Sequence, residues 1–352
     1  MNPIDTQHSV IDRARGCLLG LAVGDAVGTT LEFSYRGSFE PIDDMVGGGP
    51  FGLTPGQWTD DTSMALCLAT SLLQNGFDPA DQMRRYVKWR DTGYFSSTGR
   101  CFDIGNTVSA ALRRFEANGD PFSGSANPQS AGNGSIMRLA PVVLFAWPDE
   151  EQIRKLARDS SRTTHGTAEA VDACEMLADV LRAGLGAATK GEMLAAAGQA
   201  TRRASDTVDR TEASAPNATE GRSDAVQGGP SNATAEAHFA HDGSLSSRLQ
   251  SIARGDYLNK SVDEIRGSGY VVESLEAALW CFATTDSFRE AILAAANLGD
   301  DADTTAAVCG QIAGAHYGES GIPRDWIERL HLQRYIRGLA DRLIASPADH
   351  LP

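Results

Sequence analysis

The sequence predicts an all-α, single-domain protein built as an orthogonal helical bundle. Three observations carry that prediction. Nearly every ordered stretch has the apolar period of a helix, alternating strand patterns are scarce with no βαβ rhythm, and glycine recurs every fourth residue near the N-terminus. That glycine series is Gly16, Gly20, Gly24 and Gly28. In a membrane such spacing marks a dimer face. Here Asp25 and the short apolar length argue for close crossing of two soluble helices instead, in a helix-on-helix architecture.

The elements follow in chain order. Residues 12–27 place Ala14, Leu18, Leu19, Ala22 and Ala26 on one helical face. Residues 62–73 continue as MALCLATSLL, and 79–89, 106–115 and 151–157 give amphipathic helices. Residues 168–185 are rich in Ala, Leu and Glu, which favour helix. Helices are then expected over 271–282, 287–298, 302–317 and 326–344, with Asp286 as the N-cap of the second of these.

A chain of 352 residues carries a soft prior of about two domains. One stretch decides for a single interrupted domain. Between Thr211 and Ala235 the only large aliphatic residue is Val226 and no aromatic occurs. Such a segment buries too little to offset its ordering entropy, so a disordered insertion is expected at 205–245 within a domain spanning 1–352. Its Asn217 and Asn232 triplets match a glycosylation pattern that a cytosolic protein leaves unused.

The formal net charge of −15 argues against nucleic-acid wrapping or an anionic membrane surface. Cys17, Cys67, Cys101, Cys174, Cys281 and Cys309 show no CxxC spacing and read as small core residues in a reducing compartment. The N-terminal residues lack a basic-then-apolar signal, and no apolar run approaches about 20 residues. A cytoplasmic location is expected.

Two acidic clusters stand directly before apolar helices: Trp58-Thr59-Asp60-Asp61-Thr62-Ser63 and Gly299-Asp300-Asp301-Ala302-Asp303-Thr304-Thr305. Capping and the helix dipole explain one acid at such a position. Three in four positions exceed that need and would repel one another without a cation. Hard oxygen donors of this kind suit Mg²⁺ or Mn²⁺. Were the fold to join the clusters, a two-metal site would follow. Asp25 and Glu32 are further acids for which a structural and a site role stand open. Gly132-Asn133-Gly134-Ser135-Ile136-Met137-Arg138 and Gly105-Asn106-Thr107 are turns whose amides can meet an anion, although a lone GxG is more often only a turn. His165 opens a helix, where the dipole would favour neutral imidazole.

Taken together, GCLLGLAVGDAVGTTLE, WTDDTSM, GNGSIMR, THG and NLGDDADTTAAVCGQIAGAHYG resemble the ADP-ribosylglycohydrolases, in family order from Arg13 to Gly318. The resemblance implies an all-α fold around two divalent cations, Mg²⁺ or Mn²⁺, in a central cleft. It implies Thr59, Asp60, Asp61, Asp301, Asp303 and Thr304 as metal ligands, and leaves Asp300 out. It makes Glu32 an acid beside the metals that helps gate the cleft. It places Gly105, Asn106, Asn133, Gly134, Ser135, Met137 and His165 around ADP-ribose. The 205–245 insertion is a departure from a minimal family member that touches none of these positions.

The expected reaction is hydrolysis of the bond between ADP-ribose and a modified protein side chain, with arginine preferred over serine by analogy to bacterial-type members. Asp303, Asp61 and Glu32 are the expected catalytic residues, Asp303 by preference acting on the attacking water. The expected partners are an ADP-ribosylated protein and a cognate ADP-ribosyltransferase. Two rivals stand beside this reading. A non-catalytic, immunity-type relative would show degraded ligands, yet all six positions bear oxygen. A two-metal phosphohydrolase would use His-Asp pairs, and His241-Asp242 falls in the insertion.

Overall fold

The computed structural model describes residues 3–199 and 245–345. The expected insertion, apart from Leu245, lies outside the described residues. Fourteen α-helices are described, with short 3₁₀ turns and no strand of regular length among the described residues. The all-helical class expected from the apolar period is the class observed.

The glycine stripe explains the centre of the molecule. Helix α1 (Pro3–Gly28) packs along α12 (Ala302–Tyr317). A Cβ added at Gly16, Gly20, Gly24 or Gly28 would lie 2.3, 2.2, 2.1 or 2.3 Å from the carbonyl oxygen of Gly314, Gly310, Ala306 or Ala302. The pairing runs in opposite chain directions, so the helices are antiparallel. Gly310 and Gly314 return the contact, facing the carbonyls of Gly20 and Gly16. Two backbones this close leave no room for a side chain at Gly16, Gly20, Gly24, Gly28, Gly310 or Gly314. The consequence for the site is direct: Asp25, near the end of α1, arrives beside Asp303, at the start of α12.

The other helices pack around this pair. They are α2 (Asp60–Asn75), α3 (Pro79–Thr92), α4 (Asn106–Asn118), α5 (Ala140–Ala146), α6 (Glu150–Arg162), α7 (Ala168–Leu185) and α8 (Lys190–Ala196). After the undescribed segment come α9 (Ser247–Arg254), α10 (Val271–Ala283), α11 (Phe288–Ala296), α13 (Arg324–Arg329) and α14 (Gln333–Ala345). One apolar core runs through them from Ala14 to Leu343. A smaller core of Met64, Met83, Tyr86, Trp89, Val108, Leu112 and Met137 joins α2, α3 and α4 beneath the cleft. All six cysteines are free, and all but Cys101 are buried, as their apolar settings suggest.

Two expectations need correction. The helix expected over 326–344 is two helices, α13 and α14. Between them Leu332 takes a left-handed φ of 49° and the His331 amide donates to the Gly56 carbonyl at 3.0 Å. The chain leaves its helical path to dock on the loop before Trp58, whose ring lies 5.3 Å from that of His331. The N-cap of α11 is Ser287, not Asp286. Its Oγ accepts from the Glu290 amide at 3.2 Å, while the Asp286 amide donates to the Glu290 carboxylate at 3.0 Å.

Candidate metal centre and substrate cleft

The two acidic clusters meet. Thr59, Asp60 and Asp61 open α2, and Asp301, Asp303 and Thr304 open α12. Neither Thr59 nor Asp301, the formal N-cap residues, makes a side-chain cap. Other acids from distant segments do that work. Asp25 Oδ1 accepts from the Thr59 amide and Oγ1 at 2.9 Å each, and its Oδ2 from the Thr62 amide at 3.0 Å and Oγ1 at 2.6 Å. Glu32 Oε2 accepts from the amides of Ala302 at 2.8 Å and Asp303 at 3.3 Å. Capping therefore accounts for Asp25 and Glu32, and the clustered acids remain available.

Two carboxylate triplets result, Asp25-Asp61-Asp303 and Glu32-Asp301-Asp303, each with one oxygen per residue within 4.8 Å of the others. They share Asp303. Because both oxygens of Asp25 are already saturated by donors, we regard Asp25 as the group that orients the cluster. Asp60 stands outside both triplets but faces the cleft.

The donor chemistry fits a hard divalent cation. Asp61 is fully buried, and its Oδ1 has no hydrogen-bond donor, which is costly for a carboxylate. Thr59 Oγ1 lies 2.9, 3.3 and 3.0 Å from carboxylate oxygens of Asp25, Asp61 and Asp303, with a single proton to give. Burial pushes the carboxyls of Asp60, Asp61 and Glu32 well up, with neighbouring acids adding to it. Burial, then Asp103, raises Asp303 to about 7, and burial, then Asp303, raises Asp301 to about 7. Among the described residues, no lysine or arginine lines this space to offer countercharge.

The acids form one end of a cleft of about 640 Å³. Its walls bring together Glu32, Asp60, Asp301, Asp303 and Thr304 with Gly105, Asn106, Asn133, Gly134, Met137 and His165. Thr59 and Asp61 lie behind this wall, at 1% and 0% exposure. Ser135 does not line it; its Oγ accepts from Ser161 Oγ at 3.0 Å. Asn133 Nδ2 donates to Asp301 Oδ2 at 3.2 Å, tying the glycine turn to the metal end. His165 is held neutral, its pKa lowered to about 3 by burial and then the Arg138 charge, and it stands two residues before Thr167, the N-cap of α7. The amides of Gly132 and Asn133 already donate to Ser130 and Gly269 carbonyls, so that turn is a poorer anion cradle than its sequence suggested. The start of α4 is better placed. Gly105 through Val108 line the cleft, no side chain caps that helix, and its first amides lack intrahelical partners.

Asp103 belongs to neither acidic cluster of the sequence. It lines the cleft, and burial, with Asp301 and Asp25 adding, raises it to about 7. Its φ of 59°, with 59° at Phe33 and 57° at Asp300, gathers three left-handed non-glycine residues around the acids. Phe33 and Asp300 lock each other: the Phe33 amide donates to the Asp300 carbonyl at 2.7 Å, and the Asp300 amide to the Ser34 carbonyl at 2.8 Å. Only the acid's place directly before Ile104-Gly105-Asn106 could have pointed to Asp103.

Fold and site together define an all-helical protein with a buried carboxylate cluster suited to divalent cations, opening on a cleft sized for a small ligand. The ADP-ribosylglycohydrolase profile matches residues 6–350, and the chain belongs to that family. It is 43% identical over 349 residues to the ADP-ribosylarginine hydrolase Tri1 of Pseudomonas putida (strain GB-1), covering 98% of this chain and 82% of that protein. It is 31% identical to the ADP-ribosyl-[dinitrogen reductase] glycohydrolase of Rhodospirillum rubrum, covering 97% and 98%. A solved structure described as an ADP-ribosylglycohydrolase-related protein complex superposes with a TM-score of 0.76 at 39% identity, covering 96% of this chain and 99% of that one.

Proposed function

We propose that this chain hydrolyses the N-glycosidic bond between ADP-ribose and an arginine side chain of a modified protein, using two divalent cations, Mg²⁺ or Mn²⁺. The observation that carries this reading is the pair of carboxylate triplets sharing Asp303, which lines the cleft. Thr59, Asp60, Asp61, Asp301, Asp303 and Thr304 would hold the cations. When bound, they supply Lewis acidity toward water and the ribose hydroxyls.

The protein's own groups do the rest. The exposed amides at the start of α4 receive the diphosphate. Asp303, facing the cleft, takes a proton from the attacking water. Water oxygen joins the anomeric carbon, the bond from that carbon to guanidine nitrogen breaks, and the proton leaves with the guanidine. Glu32 holds the Ala302 and Asp303 amides, so its part is to fix the helix end that carries Asp303. Asp61 braces the hydroxyls of Thr59 and Thr304 from behind.

The cleft mouth supports a guanidinium leaving group. Phe33 is 63% exposed at the cleft wall, 6.2 Å from Phe51, which lies 5.1 Å from Phe102. The exposed Phe33 ring, which shares the cleft with Glu32, Asp60 and Asp103, suits a planar cation. The test offers an ADP-ribosylarginine protein and an ADP-ribosylserine peptide in parallel and measures free ADP-ribose. Release from the arginine substrate is expected; release from the serine peptide alone would overturn the linkage.

A further inference from the structure

Arg138 is a fully buried cation whose hydrogen-bond partners among the described residues are carbonyls and threonine hydroxyls, not carboxylates. Its guanidinium lies 4.9 Å over the Tyr86 ring. Its NH1 donates to the Gly134 carbonyl. Its NH2 donates to Thr164 Oγ1 at 2.7 Å and lies farther from Thr163 Oγ1, at 3.4 Å, and the Ser160 carbonyl, at 3.5 Å. A buried charge without a carboxylate is expensive, so what it holds in place matters.

The direction of each hydrogen bond follows from the donor inventory together with the cost of leaving a buried hydroxyl proton without an acceptor. Arginine can only donate, so Thr164 Oγ1 accepts from Arg138. The threonine's single proton then needs its own acceptor. Among the described residues, only His165 Nδ1, at 2.9 Å, stands within reach of that oxygen as such an acceptor. A neutral imidazole whose Nδ1 accepts carries its proton on Nε2. Burial and the nearby Arg138 charge keep the ring neutral. Nε2 has no protein partner among the described residues, and the ring lines the cleft.

The GxG turn makes this possible by leaving space. Neither Gly132 nor Gly134 takes a left-handed φ. A Cβ at Gly134 would lie 2.8 Å from His165 Cε1 and 3.2 Å from Nε2, and one at Gly132 would lie 3.4 Å from Nε2. Side chains there would crowd the very edge of the ring that faces the cleft.

We propose that Arg138, acting through Thr164, fixes His165 in the Nε2–H tautomer, so that the cleft meets ADP-ribose with one preset donor for an acceptor oxygen of the ligand. Arg138 and Thr164 are positioning residues; His165 is the group that touches ligand. The ligand half rests on the proposed function, whereas the tautomer does not.

The experiment is long-range ¹H–¹⁵N spectroscopy of His165 in the full chain, assigned by difference with His165→Gln, together with calorimetric binding of ADP-ribose. The wild type should show a protonated Nε2 and a bare Nδ1, unchanged from pH 8 to pH 5. Thr164→Val should mix or reverse the tautomer and weaken ADP-ribose binding about tenfold, the scale of one lost hydrogen bond. Thr164→Ser should restore both, which a merely structural role would not require. A protonated Nδ1 in the wild type, or a Thr164→Val variant with unchanged spectrum and affinity, overturns the proposal. A correct tautomer in a protein that does not bind ADP-ribose overturns the ligand assignment alone.

Discussion

Asp303 is the residue on which both carboxylate triplets converge, and its substitution should show most. Asp303→Ala is expected to lower kcat by about 10²–10⁴-fold, the range of a lost acid–base group, and to weaken Mn²⁺ binding in calorimetry. Loss of turnover with unchanged metal affinity would move Asp303 out of the ligand set. At the cleft mouth, Phe33→Ala should raise KM for an ADP-ribosylarginine protein by about fivefold and leave kcat nearly unchanged, as loss of one partly exposed cation–π contact requires. The acids Asp60, Asp61, Asp301 and Asp303 were legible because, with Asp300, their number exceeded what capping needs. Asp103 was not, because a lone acid in a loop carries no period and no cluster. The capping roles of Asp25 and Glu32 were equally hidden, since their amide partners lie 34 and 270 residues away.

At the scale of elements, the α1–α12 contact sets the distance between the two ligand clusters. Gly24→Ala places a methyl 2.1 Å from the Ala306 carbonyl, so the helices must part. The expected cost is about 2–3 kcal/mol in thermal or denaturant unfolding, with loss of activity. Gly338→Ala is the control. It sits inside α14 with open space around the added atom, and should stabilise by about 0.5–1 kcal/mol. A second link fastens the loop before Trp58. Asp44 accepts from both terminal nitrogens of Arg329 at 2.9 Å and from Trp326 Nε1 at 2.6 Å. The Arg329 bonds hold the Asp44 carboxyl well below the usual carboxylate range. A depressed folded pKa gives stability above the unfolded pKa of about 3.9 that is lost as pH falls toward the folded one. Asp44→Ala should therefore cost about 1 kcal/mol at pH 7, discounted for partial exposure, and the gap should close below about pH 4. The helical pattern gave most of the longer elements, although α1 begins at Pro3 and not at residue 12, α6 runs on to Arg162, and the short α8 and α9 were not expected. It failed at 326–344, where docking of His331 on Gly56 overrides an apolar period that runs on regardless.

At the scale of the whole molecule, the site is a ring of acids held together by the packed core. The described residues contain no helix long and apolar enough to cross a membrane. Cations that bind only the folded state should raise stability by about 2.7 kcal/mol at a hundredfold excess over Kd. The increment should be larger at pH 8 than at pH 6, because Asp301 and Asp303, raised to about 7, must give up protons to bind metal. The fold class and both halves of the site could be read from helical period, glycine spacing and acid clusters. That the halves would meet could not, because it depends on the register of two helices nearly three hundred residues apart. The central claim is tested most directly by following free ADP-ribose from an ADP-ribosylarginine protein with Mg²⁺, with EDTA, and with Mg²⁺ restored after EDTA. Release that stops with chelation and returns with metal is the predicted result. No release with Mg²⁺ or Mn²⁺, or release indifferent to EDTA, would contradict the account.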